Sequence, residues 1–152
     1  MKGWMAGLGV AVIAAVALGV LLLVVATSSD ETLVLDLEPG ECFDLAADDG
    51  ADAIGTVETT PCDEPHEAEA VAVGELNPAD AAEDVPRPAD DVLFEQVDAR
   101  CAAALDGRTG LLERFGILPV VADEASWDEY DGRYVCVAIP YGGGTTTGSA
   151  LG

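Results

Sequence analysis

Hydrophobic positions follow two regimes along this chain. Residues 3–26 (GWMAGLGVAVIAAVALGVLLLVVA) carry no charge at all, and as a helix they would span about 36 Å, enough to cross a bilayer with some tilt. Beyond them, apolar residues come in short periodic groups separated by acidic and turn-forming stretches. Residues 33–37 (LVLDL) and 42–45 (CFDL), joined through Pro39-Gly40, are expected to be extended. Residues 55–59 and 67–76 alternate as strands do, with Val71 and Val73 on one face and alanines on the other. The clearest helix is predicted over 91–106, where Leu93, Val97, Cys101 and Leu105 repeat every four residues and Gly107 follows as a stop. A shorter helix is expected over 109–116, then a loop through Ile117-Leu118-Pro119 to Trp127. Residues 133–140 (RYVCVAIP) are apolar on both faces, as in a central strand. The predicted class is α+β: an N-terminal transmembrane helix, then a small disulfide-stapled antiparallel sheet packed with one or two helices.

Charge sharpens this division. The 152 residues hold 29 Asp and Glu against 6 Lys and Arg, a formal net charge of −23, and every acidic residue lies at Asp30 or later. Five arginines cannot neutralise that field, so nucleic acid is excluded as a partner of the polar part, as is an anionic lipid surface. The positive charges nearest the apolar run, Lys2 and the α-amino group, precede it, and Trp4 sits at its start. The N-terminus is therefore expected in the cytoplasm and the acidic module outside. A cleaved leader is the alternative, because Val24-Val25-Ala26 before Thr27 offers small residues at a cleavage position. Both readings export the module. The expected organisation is an anchor or uncleaved signal at 1–26, a stalk at 27–32, the extracytoplasmic domain at 33–140, and a flexible Gly/Thr-rich tail at 141–152.

Four cysteines, Cys42, Cys62, Cys101 and Cys136, all lie in the exported part. There they are expected to form two disulfides. Three connectivities are open, of which pairing of neighbours is the simplest. Each such bridge would stabilise the fold by about 3–4 kcal/mol through loop-closure entropy, and Cys136 facing Cys101 would staple the helix to the central strand. Zinc is the competing use, with Cys42, Cys62 and His66 as ligands. Only one histidine exists, no C-x-x-C occurs, and oxidised cysteines cannot ligate, so no metal or other cofactor is expected. Residues 46–53 (AADDGADA) fail the calcium-loop pattern and read as a solvated acidic loop.

The stretches GECFD (40–44), TPCDEPHEAE (60–69), the helix cysteine Cys101, and Leu118-Pro119 followed by WDEYDGRYVCV (127–137) together resemble the septum-formation domain. The resemblance covers about residues 38–140. That family comprises extracytoplasmic modules of actinobacterial membrane proteins, often behind one transmembrane helix, so the resemblance implies a link to cell division. This chain has Glu129-Tyr130-Asp131 before Gly132, where a shorter glycine-led turn is typical. His66, Glu69, Trp127 and Arg133 are the candidate binding residues, with no catalytic residues expected. The competing reading is a cell-wall-acting hydrolase or a redox protein that uses His66 with Glu67 or Glu69. Expected partners are the membrane, through residues 3–26, and other envelope or division proteins.

Overall fold

The structure, a computed structural model, describes residues 31–45, 55–76 and 86–152. The expected anchor, most of the stalk, the acidic loop at 46–53 and most of the connection at 77–90 lie outside the described residues. Among the described residues no helix is long and apolar enough to cross a membrane.

Described strands are β1 (Glu31–Leu33), β2 (Cys42–Asp44), β3 (Thr56–Thr60), β4 (Ala68–Glu75), β5 (Phe115–Val121) and β6 (Arg133–Pro140). They form one sheet in the order β1-β3-β2-β4-β6-β5. Every described pairing is antiparallel. Helix α1 (Asp90–Ala104) is joined by two single-turn helices, α2 (Thr109–Leu112) and α3 (Trp127–Tyr130). The α+β class and the antiparallel sheet are thus as expected.

Helix α1 forms where the four-residue repeat placed it. Leu93, Val97 and Cys101 are buried along one stripe, and Leu105 continues it just past the last turn. Asp90 and Asp91 occupy the first turn, where carboxylates complement the helix dipole. Strand β6 is buried from Tyr134 through Ala138. Side-chain alternation explains why both its faces are apolar. Cys136 points to the side where it bonds Cys101 of α1, with Cα atoms 5.7 Å apart. Arg133, Val135 and Val137 share the opposite side, where the Arg133 guanidinium reaches the carbonyls of Leu35 and Leu37. The second bridge joins Cys42 and Cys62, with Cα atoms 5.3 Å apart, so the neighbour pairing is the one formed.

Strand β4 departs from simple alternation. Ala70 pairs with Val137 but Ala72 with Cys136, so Val71 is an extra residue in the ladder. The whole run from Ala68 to Ala72 is buried instead of every second residue. Gly74 pairs with Tyr134, and a Cβ there would come within 2.6 Å of the Tyr134 Cζ. Only glycine lets that ring lie flat across the strand.

Four expectations are corrected. The strand predicted at 33–37 is instead the end of β1 followed by a 3-10 turn, Val34–Asp36. Val34, Leu35 and Leu37 are all buried, which a flat two-residue alternation cannot achieve. The stalk expected at 27–32 overlaps β1, because Glu31 and Thr32 pair with Glu58 and Val57. The helix predicted at 109–116 stops at Leu112, and the loop after it is β5, paired with β6 along its length. Pro119 suits this position because an edge strand has one row of backbone groups facing away from its neighbour. Finally, residues 141–152 are fastened to the domain, and the compact unit runs from Glu31 to Gly152.

Candidate functional site

The turn between β3 and β4 and the C-terminal segment build one site. The Cys42–Cys62 bridge ties the turn to β2, and Glu69 lies abreast of Cys42 on one side and Ala138 on the other. Its carboxylate is only 2 % exposed. A carboxylate withdrawn from water needs hydrogen-bond donors to offset the lost hydration, and here they come from the far end of the chain. Ser149 donates its hydroxyl to Glu69 Oε1 at 2.7 Å, and the Ala150 N–H donates to Oε2. Ser149 Oγ in turn accepts the Leu151 N–H at 3.1 Å.

His66 is fully buried four residues after Cys62. Its Nδ1 lies 2.9 Å from the carbonyl oxygen of Glu64, the geometry of an Nδ1–H donating within the turn. That tautomer leaves Nε2 as an acceptor, and Nε2 is buried with no hydrogen-bond partner among the described residues. The His66 main chain exchanges two bonds with Thr146, N–H to carbonyl at 2.9 Å and the reverse at 2.8 Å, forming an isolated antiparallel bridge. Two residues on, the Gly148 N–H donates to the Cys62 carbonyl at 2.6 Å. The tail therefore runs beside the turn through one isolated bridge and a bend at Gly148, and Ala150 is buried. Low local complexity concealed this. Nothing in GGGTTTGSALG is periodic, and the residue that holds it is 81 positions away.

Glu67 has a different task. Its carboxylate accepts the Leu45 N–H at 3.0 Å, while its own N–H donates to Asp44 Oδ1 and the Phe43 carbonyl. The two acids flanking Ala68 thus serve opposite ends of the turn. The metal-sized grouping among the described residues consists of Cys42, Cys62 and Glu69, whose ligand atoms lie within 4.8 Å of one another. It differs from the Cys42, Cys62 and His66 set considered from sequence, and both sulfurs are joined in the bridge.

Arg133 and Trp127 are held by other parts of the fold. Arg133 donates to the carbonyls of Leu35 (2.6 Å) and Leu37 (3.1 Å) and pairs with Glu38 at 3.1 Å. These bonds clamp the 3-10 turn to the start of β6. Trp127 is buried in α3 with the Arg87 guanidinium 6.0 Å from its ring centroid, and Arg87 also pairs with Asp90. Asp131 and Gly132 end α3 in left-handed conformation, with φ of 49° and 72°, which is how the chain fits the longer Glu129-Tyr130-Asp131 turn. The Asp123 carboxyl is held below its ordinary pKa by hydrogen bonds from Ser126. The Tyr130 phenol is pushed up by desolvation and by the carboxylates of Asp36 and Glu129.

The residues missed by sequence are Thr146, Gly148, Ser149 and Ala150. Cys62, His66 and Glu69 make the seat that grips them, next to a turn whose exposed side chains, Asp63 and Glu64, are acidic. Comparison with curated proteins and with solved structures gave no match. The septum formation family, by contrast, matches residues 25–136, a span that takes in both disulfides, the His66 turn and Glu69. The chain belongs to the septum formation family.

Proposed function

We propose that this chain is a membrane-tethered extracytoplasmic binding or scaffold module that works in septum formation or cell-envelope assembly, without catalysis. Residues 3–26 anchor it, the N-terminus is cytoplasmic, and the acidic domain faces outward. Its partners are other envelope or division proteins, with no nucleic acid and no small-molecule cofactor. Family membership supports the process. The observation that carries the binding role is the Glu69 seat, in which a buried carboxylate and the main chain of Cys62 and His66 hold a short segment of peptide.

A hydrolase needs an acid or base within reach of its substrate. Here the His66 Nδ1 is committed to the Glu64 carbonyl, Glu67 to the Leu45 N–H, and Glu69 to Ser149 and Ala150. These commitments favour recognition over turnover. The test is to follow a fluorescent fusion of the full chain in dividing cells beside a version lacking residues 3–26. The full chain is expected at the septal membrane and the shortened one dispersed or retained inside. Purified protein is expected to leave envelope material unaltered. A turnover activity abolished by His66→Ala in a folded domain would overturn the reading.

A further inference from the structure

We propose that the seat for residues 146–151 is a receptor for a short, small-residue peptide that bends at a glycine, supplied by a partner protein, with this chain's own C-terminal segment as its resting occupant. This rests on the binding-module reading above and specifies the partner's chemistry. Three observations carry it.

The contacts are those of a bound peptide. Thr146, Gly148 and Ala150 are held through their main-chain groups, by His66, Cys62 and Glu69 respectively. The Ser149 hydroxyl is the one side-chain donor in the set, and Ala150 the one residue of the segment that is buried. Recognition that runs through the main chain demands little of the occupant beyond small side chains and a glycine where the segment bends, at a φ of 83°.

The segment is also joined to β6 through glycine. Gly142, Gly143 and Gly144 all have positive φ, and a Cβ at any of them would meet nothing within 4 Å. The segment thus leaves the end of β6 at Pro140 through a left-handed glycine turn, closed by the Gly143 N–H on the Pro140 carbonyl at 3.1 Å.

The receptor, lastly, is costly to leave empty. Glu69 is buried and its described donors are Ser149 and Ala150, so departure of the segment strands a carboxylate unless another peptide brings N–H or hydroxyl groups. In the same turn, the unpaired His66 Nε2 is an acceptor that this segment leaves unused.

The test uses the full chain. Ala150→Arg and Gly148→Pro each evict the segment while leaving His66, Glu69 and the Cys42–Cys62 bridge in place, since the first overfills a buried position and the second removes a donor and forbids a φ of 83°. A fluorescent peptide of residues 145–152 (TTTGSALG) is titrated against each variant and followed by anisotropy. Both variants are expected to bind it. The unaltered chain should bind at least about tenfold more weakly, because the tethered segment competes at an effective concentration in the millimolar range. A peptide with arginine in place of its alanine should not bind. The proposal is overturned if neither folded, disulfide-bonded variant binds, if the arginine peptide binds equally well, or if both variants unfold, since a removable occupant must leave a folded receptor. Septal recruitment of the full chain without peptide binding would sink this proposal alone, whereas loss of recruitment would sink the binding-module reading.

Discussion

The two disulfides brace two different kinds of interior. On the Cys101–Cys136 side, Leu93, Val97 and Leu105 of the α1 stripe and Tyr134 and Ala138 of β6 are all buried, and helix and sheet meet as apolar surfaces. Around Cys42–Cys62 the interior includes Glu69 and His66, the two buried polar side chains among the described residues. There the hydrogen bonds to the C-terminal segment satisfy polar groups buried beside apolar packing from Phe43, Ala68 and Ala70. A chain with 29 acidic residues has limited apolar material. Its buried apolar residues form one cluster from Val34 and Phe43 through α1 to β6, and at His66 and Glu69 main-chain groups drawn from its own end complete the interior. The first kind of interior resists change through volume, the second through satisfaction of charge, and each can be broken separately.

The largest effect is expected from the apolar side. Replacing Cys101 and Cys136 together by alanine should lower unfolding free energy by about 4 kcal/mol, from a sequence separation of 35. Replacing Cys42 and Cys62 should cost about 3 kcal/mol, from a separation of 20. Urea titration of both double variants reads the difference, and a larger loss for the Cys42–Cys62 pair would reverse the assignment of which half bears the fold. Glu69→Gln comes next. A neutral amide keeps the size but weakens both donor contacts, so a loss of about 2 kcal/mol is expected. Crucially, this loss should be confined to the tail: amides of α1 and β6 should keep their protection against exchange.

Gly74→Ala probes the seam between the halves. The added methyl meets the Tyr134 ring, and about 1–2 kcal/mol should be lost. Tyr134→Ala in the same chain should relieve the clash, so that the two changes are non-additive in a double-mutant cycle. The smallest expected effect is at Asp123. Its carboxyl titrates below the ordinary value of 3.8, because Ser126 donates to the ionised form. Its stabilisation is accordingly complete above the unfolded value and is lost as pH falls through the lower folded one. Melting curves of the unaltered chain and Asp123→Asn should differ slightly at neutral pH and converge in acid, and a gap that widens in acid would contradict the assignment.

What the sequence disclosed tracks the range of the interactions involved. Helix α1 was legible because Leu93, Val97, Cys101 and Leu105 mark one stripe without outside help, and β6 because its apolar run is unbroken. Strand β5 was hidden by Pro119, which reads as a breaker when its place at the sheet edge is unknown. The bulge at Val71 was invisible because alternation in β4 looks regular until β6 is laid beside it. At the site, Cys62, His66 and Glu69 stood out in TPCDEPHEAE. The segment that fills the seat did not, because serine, alanine and glycine carry no pattern and Glu69 lies 80 residues before Ser149 and 81 before Ala150.

Central to this account is a C-terminal segment that belongs to the domain and is held by Glu69. Amide hydrogen exchange resolved to residues 146–151 tests that most directly. In the unaltered chain the Thr146, Gly148 and Ala150 amides should exchange slowly, and Glu69→Gln should release them while α1 and β6 stay protected. If those three amides exchange in the unaltered chain as fast as in the free peptide TTTGSALG, the seat does not exist and the account fails.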